Sequence, residues 1–479
     1  MIAGLSGDSG KTIASLSLLT HLRQKGLAVS VYKKGPDYID AAWLAHAADG
    51  VCYNLDTYMT APEDIVRTFV TTAGKADLAL IEGNRGIFDG KDISGTHSTA
   101  ELAKLLKAPV ALVVDATKTT RTVAALVKGC VDFDPEVKIA GVILNRVAGK
   151  RHEKIITEAL EKYCGLPVLG VVPKLDGDSE LLPGRHLGLV PPSEFPEAEA
   201  LDKKLRQIAE KYLDGDALLA AAAEAPSLEA GDVERNLKTE ADVKIGYFRD
   251  SVFTFYYPDN LKALEREGAE LVPVSSLDDR ALPDIDALYI GGGFPETHAD
   301  KLVANTALMA AVKRAVENGL PVYAECGGLI YLARSLRWGE RTYEMAGVFP
   351  VDLEMRDKPV GHGYTRVEID TENPFFETGT ELKGHEFHYS GPVADKLDTK
   401  TSMTVKRGFG IDGRRDGLLY KNCLACYTHI HAAGTKGWAK AVTAAARKFS
   451  VRTDIEGNYE KEITEGTVIT GPEPLGVSV

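Results

Sequence analysis

The chain reads as an α/β protein of two domains, each built on a parallel sheet, and three observations predict this. Short runs rich in Val, Ile and Leu alternate with helical stretches through the first half, as strands buried on both faces do. A glycine-rich loop joins the first run to an apolar helix. A second series of strands starts only after a stretch of Ala, Glu, Ser and Gly that lacks strand character. At 479 residues, 44% of them hydrophobic, the chain is also too long for one ordinary domain.

Taken in order, Ala28 to Tyr32, Leu78 to Ile81, Pro109 to Asp115, Ile139 to Leu144 and Pro167 to Val172 are expected strands of a first domain at 1–219. Only Met1 to Ala3 precede the glycine-rich loop, whereas strands commonly run to about five or six residues, so a few residues are expected to be missing from the start. A linker is expected at 220–241. In a second domain, 242–450, strands are expected at Val243 to Phe248, Leu271 to Val274, Ala287 to Ile290 and Val322 to Ala324, with a helix around Asn260 to Gly268. A more β-rich pattern follows, with Gly361 to Ile369 and Gly417 to Tyr427 as candidate strands. Residues 451–479 read as a weakly structured extension.

The 69 acidic and 56 basic residues leave a net charge of -13, which repels a phosphate backbone and argues against nucleic acid as a partner. The N-terminus has no room for a secretory signal, and no apolar run approaches the roughly 18–20 residues of a membrane span. Six irregularly spaced cysteines do not make a disulfide framework. A soluble cytoplasmic protein is expected, and a homodimer is left open.

The segment from Gly4 through Gly7 and Gly10 to Lys11 and Thr12 ends as a P-loop does and leads into a helix with Ile13, Leu16, Leu19 and Leu22 on one side. Such a loop turns backbone N–H groups toward phosphate, Lys11 adds a cation, and the Thr12 hydroxyl can ligate Mg²⁺. Leu5 stands where the first glycine of the simple pattern belongs, which is closer to the variant loop of dethiobiotin synthetases and partition ATPases. Asp37 and Glu82, each close after a strand run, are candidate Mg²⁺ ligands for bound ATP. Asp40, Asp56 and Asp89 also lie near glycines, where aspartates often act as turn or cap residues.

The run from Pro321 to Leu329 is a strand ending at Cys326, between Glu325 and Gly327-Gly328, and entering a helix. A cysteine on such a turn is a nucleophile candidate, with the helix N-terminus favouring its thiolate. Gly292 and Gly293, after the strand ending at Ile290, and Gly327 can present N–H groups to an oxyanion. His429 is the preferred general base, with His431 second. Cys423 and Cys426, in an apolar run without a second pair, read as structural.

Together these motifs resemble the glutamine-hydrolysing cobyrinic acid a,c-diamide synthases, from the P-loop to about Ala446. The segments that carry the resemblance are Lys34 to Asp40, Asn54 to Asp56, Ile81 to Gly83, Phe88 to Gly90, Val142 to Arg146, Arg185 to Leu189 and Gly384 to Ser390. The resemblance implies a P-loop NTPase-like, dethiobiotin-synthetase-like ATP domain joined to a class I glutamine amidotransferase-like domain. It implies that ATP phosphorylates the a and c acetate carboxylates of a tetrapyrrole, and that ammonia from glutamine then displaces phosphate. It also implies that Asn145 serves ATP binding and that Lys34, Tyr38, Asp40 and Asp89 serve the substrate. Histidine at 431 stands where many class I glutaminases carry glutamate, so a Cys326–His429 dyad is expected. Asn84-Arg85 departs from the family's uncharged residues and leaves open a related substrate, a nickel sirohydrochlorin or hydrogenobyrinate. Cobyric acid synthase and a partition-type ATPase switch are the remaining alternatives.

Overall fold

The computed structural model describes all residues except 75, 176–180, 183, 186–187, 230–239, 395–396 and 465–479. His186 and Leu187, part of the motif from Arg185 to Leu189, lie outside the described residues. Seven parallel strands form the N-terminal sheet: β1 (Ile2–Gly4), β2 (Val29–Lys34), β3 (Cys52–Leu55), β4 (Leu78–Gly86), β5 (Val110–Asp115), β6 (Ile139–Val147) and β7 (Val168–Pro173). Their order is β3-β2-β4-β1-β5-β6-β7. The chain fills one side of β1 and then crosses to the other, which opens a crevice at the carboxyl ends of the central strands. The P-loop leaves β1 there and enters α1 (Lys11–Gln24), whose Leu16, Leu19 and Leu22 pack under the sheet. β1 is short and pairs in parallel with both β4 and β5.

The second sheet has ten strands. Its parallel part is Ala269–Val274, Val243–Phe248, Ala287–Ile290, Val322–Glu325 and Cys423–Cys426. Antiparallel strands Arg415–Tyr420, Lys400–Arg407, Gly361–Ile369 and Glu381–His388 extend it, and His429–Ile430 closes the far edge. Three expectations need correction. The strand expected from Gly417 to Tyr427 is a hairpin, because Lys421 takes the left-handed conformation at φ 50° and reverses the chain. The expected linker begins inside a helix, Gly215–Ala223, where Leu218 packs on the first domain. The expected weakly structured tail begins inside a helix that runs Trp438–Thr464.

The domains meet along a packed seam. Tyr58, Met59 and Tyr257 form its apolar centre, flanked by Tyr38 and Tyr364. Tyr364 donates to Asp56 Oδ2 at 2.8 Å and Tyr58 donates to the Thr365 carbonyl at 3.2 Å. A Cβ on Gly434 would overlap the Met59 carbonyl across this seam. Gly434→Ala is therefore expected to cost ~1–3 kcal/mol by overpacking. Gly129→Ala, in open space within the helix Thr122–Phe133, is expected to stabilise by roughly 0.5–1 kcal/mol. Urea midpoints that move in the same direction for both variants would contradict the seam as described.

Candidate functional site

The phosphate site is organised around Lys33 at the end of β2. Its ammonium is buried and lies 2.6 Å from Asp40 Oδ2 and 2.7 Å from Glu82 Oε1. Burial opposes that charge, but Asp40 and Glu82 outweigh it and hold the Lys33 pKa well above the usual lysine value. The Thr12 hydroxyl donates to the same Glu82 oxygen at 3.2 Å, while Glu82 Oε2 is buried without a hydrogen-bond partner. An orphaned carboxylate oxygen next to a P-loop hydroxyl fits a Mg²⁺·phosphate group, since Mg²⁺ keeps several waters and needs only one or two protein carboxylates. Among the described residues there is no preformed cluster of three metal-ligating acids, His or Cys. Lys11 points back to the Ser6 carbonyl at 3.1 Å, across the mouth of the loop. Burial and then Lys33 lower its pKa.

The other expected residues fall in different places. Asp37 Oδ1 accepts from the backbone N–H groups of Ile39 and Asp40, fixing the start of α2 (Ile39–Ala48), and burial beside Asp40 raises its carboxyl to about 7. Asp40 is engaged by Lys33 and holds that cation in place. Asp89 accepts from the Gly86 N–H at 2.9 Å and acts as a turn residue. Asn145 Nδ2 donates to the Ser9 carbonyl at 3.0 Å, and its side chain occupies the space a Cβ on Gly10 would need. It thus shapes the P-loop directly. Lys34 is buried near Asp56 and Arg85. Gly7 has open space around it on the P-loop.

At the other site, Cys326 sits on the strand-to-helix turn with φ 47° and ψ -94°, a conformation that costs a non-glycine residue on the order of 1–3 kcal/mol. Its N–H is anchored to the Cys426 carbonyl at 2.7 Å. The expectation of a stabilised thiolate is corrected: the following helix is only six residues long, and burial, Glu296 and Glu325 all push the thiol pKa up. A proton acceptor is needed when glutamine arrives. The backbone of Gly292 and Gly293 lies against Gly327, and the His429 ring lies against Gly292, which brings the expected oxyanion donors and base into one pocket. His431 is elsewhere, 3.5 Å from Asp259 and against Tyr257, which favours His429. Cys423 and Cys426 are buried free thiols within their strand.

Sequence reading missed one member of this pocket. Glu325, fully buried, accepts from the Tyr323 hydroxyl and the Ile430 N–H at 3.1 Å each and from the Tyr289 hydroxyl at 2.9 Å, and its Oε2 lies 3.6 Å from His429 Nδ1. A carboxylate therefore faces the histidine from the strand of the nucleophile itself, and not from the position two residues after His429 where a His-x-Glu pattern would put it. Lys33 was missed as well, for an apolar strand hides a cation whose partners come from distant segments. His385 was quoted only as part of a motif; it stacks on His429 at 4.8 Å, and burial keeps it neutral by lowering its pKa.

Fold and site define a nucleotide-binding domain joined to a glutamine amidotransferase domain. Residues 1–187 match the family described as CobQ/CobB/MinD/ParA nucleotide binding domain, and residues 244–437 match the CobB/CobQ-like glutamine amidotransferase domain. The chain is 42% identical over 444 residues to the cobyrinate a,c-diamide synthase of Magnetococcus marinus, covering 91% of this chain and 95% of that one. It is 43% identical over 451 residues to the cobyrinate a,c-diamide synthase of Archaeoglobus fulgidus, covering 94% and 97%. The chain belongs to the cobyrinate a,c-diamide synthase family. No helix among the described residues is long and apolar enough to cross a membrane.

The Glu325 contact generates a prediction. Glu325→Gln keeps the shape but removes the charge that faces His429, and should lower kcat for glutamine hydrolysis on the order of 10–100-fold with KM little changed. His431→Ala should retain glutamine use. Steady-state glutaminase assays check both, and a Glu325→Gln enzyme with wild-type kcat would remove Glu325 from the pocket's chemistry.

Proposed function

We propose that this chain uses ATP and glutamine to amidate the a and c acetate carboxylates of cobyrinic acid. The observation that carries the reading is a single loop that reaches both sites. Asp40 pairs with Lys33 in the phosphate site, whereas the hydroxyl of Tyr38, on the same loop, lies 3.4 Å from His429 Nδ1. The Tyr38 ring also stacks on Phe255 of the other domain at 5.0 Å, which ties the loop to the glutaminase side of the seam.

In the glutaminase pocket His429 takes the Cys326 proton as Sγ attacks the glutamine amide carbon, and N–H groups at Gly292, Gly293 and Gly327 hold the oxyanion. The C–N bond breaks, the imidazolium returns the proton, and ammonia leaves. Water then hydrolyses the thioester to glutamate. In the other pocket a substrate carboxylate oxygen attacks the γ-phosphorus of ATP and ADP departs. Ammonia attacks the resulting acyl carbon, loses a proton and expels phosphate. Lys11 and the P-loop amides hold the phosphates in line for that transfer. Mg²⁺ would be held by Thr12 and Glu82 and would neutralise charge on the phosphate oxygens. Lys33 fixes Glu82 and Asp40 in that arrangement.

Lys11→Ala should lose amidation with glutamine and with ammonium alike. Cys326→Ser should lose it with glutamine only and recover it with ammonium and ATP. Product analysis of cobyrinic acid incubated with each variant checks this, and a folded Cys326→Ser enzyme inactive with both nitrogen sources would overturn the division of labour.

A further inference from the structure

Against a net charge of -13, one stretch of the seam is strongly cationic. Arg366 lies in the strand Gly361–Ile369 directly opposite Lys383 on one side and Arg407 on the other. Like charges opposite one another across strands are destabilising. Arg366 has a distant carboxylate, Glu381 at 3.7 Å, but Lys383 and Arg407 have no ion pair among the described residues. Both neighbours bear on the seam tyrosines: Lys383 Nζ sits 5.7 Å from the centroid of Tyr58, and Arg407 Nε donates to the Tyr364 carbonyl. Tyr58 and Tyr364 stack at 4.3 Å, joining the two domains under these cations.

The N-terminal domain adds to the same place. Lys91 Nζ lies 4.5 Å from the Tyr58 centroid, on a loop whose Ile93 side chain is entirely exposed. Arg85, exposed with φ 52°, has no ion pair among the described residues and acts electrostatically on Tyr364 and His362. It stands at the end of β4, three residues beyond Glu82 of the phosphate site. Five cations from two domains thus gather around the seam tyrosines, Lys91 and Lys383 over the face of Tyr58, and are retained against their own repulsion.

We propose that Arg85, Lys91, Arg366, Lys383 and Arg407 form the cradle that docks the non-reacting carboxylates of a polyanionic macrocycle, presenting one carboxylate at a time to the phosphate site. This rests on the amidation reading above and extends it to the substrate's recognition. Ile93 offers apolar contact to a macrocycle face, and the carboxylates relieve the repulsion along the strand row. The seam itself is part of the cradle, so substrate binding requires both domains in register.

The test uses the full chain and two ligands: cobyrinic acid for turnover, and uroporphyrin, a polycarboxylate tetrapyrrole, for binding by fluorescence titration at several salt concentrations. The double variant Lys383→Gln/Arg407→Gln should raise the uroporphyrin Kd and the KM for cobyrinic acid on the order of tenfold, with a shallower salt dependence and the KM for ATP unmoved. Lys406→Gln, which removes a lysine already paired with Glu368 at 2.8 Å, should bind as the parent does. Uroporphyrin binding by the parent without turnover of cobyrinic acid would support the cradle and sink the substrate assignment. A double variant that binds uroporphyrin as tightly as the parent, or a parent that binds none, would overturn the cradle.

Discussion

The ammonium of Lys33 is almost wholly removed from water and sits between two carboxylates, Asp40 on the first turn of α2 and Glu82 on β4. A buried charge is tolerated only when it is paired and hydrogen-bonded, and loss of one partner would leave an uncompensated charge behind. The pairing therefore fixes three segments relative to one another: the end of β2, the middle of β4 at Glu82 and the loop 35–40. Because Thr12 reaches the same Glu82 oxygen, the P-loop helix is tied to them as well. Because Asp37 caps α2, the loop has little freedom to withdraw Tyr38 from the seam. One ion cluster thus sets the geometry of the phosphate site and the position of the residue that reaches toward His429.

The glutaminase pocket is built by a similar economy of position. The sheet places Gly292 and Cys326 just past the ends of adjacent strands, Ala287–Ile290 and Val322–Glu325, and His429 is brought beside them from the edge strand, where Ile430 N–H donates to Glu325. Glu325 belongs to the sheet's interior, where two tyrosine hydroxyls and a backbone N–H hold its carboxylate still. Such a group can orient a histidine without moving. The thiol next to it is kept neutral by burial and by the same acids, so nucleophilicity has to be generated when the substrate is bound.

The sequence made the framework legible because both chemical motifs sit at strand ends, where period-2 or fully apolar runs stop at glycine. The P-loop, Cys326 and the Gly291–Gly293 run were read that way. What it hid were pairings set by tertiary contact. Lys33 looks like part of a Lys-Lys pair, and nothing nearby marks its acid partners at positions 40 and 82. Glu325 precedes the nucleophile and reads as an ordinary strand residue until the edge strand His429–Ile430 is brought beside it. Nothing in the motifs of Asp40 and Asp89 marks that one pairs with a buried cation and the other accepts from a turn N–H. Left-handed Lys421 likewise gave no sequence signal for the hairpin that it forms.

The central claim is that the nitrogen freed from glutamine at Cys326 is the nitrogen that the phosphate site places on the substrate carboxylate. The most direct measurement is amidation from glutamine labelled with ¹⁵N in its amide, run with ATP and without added ammonium, for the parent chain and for Cys326→Ser. The account predicts a labelled product carboxamide from the parent and no product from Cys326→Ser. Unlabelled product from the parent, or labelled product from Cys326→Ser, would contradict the account.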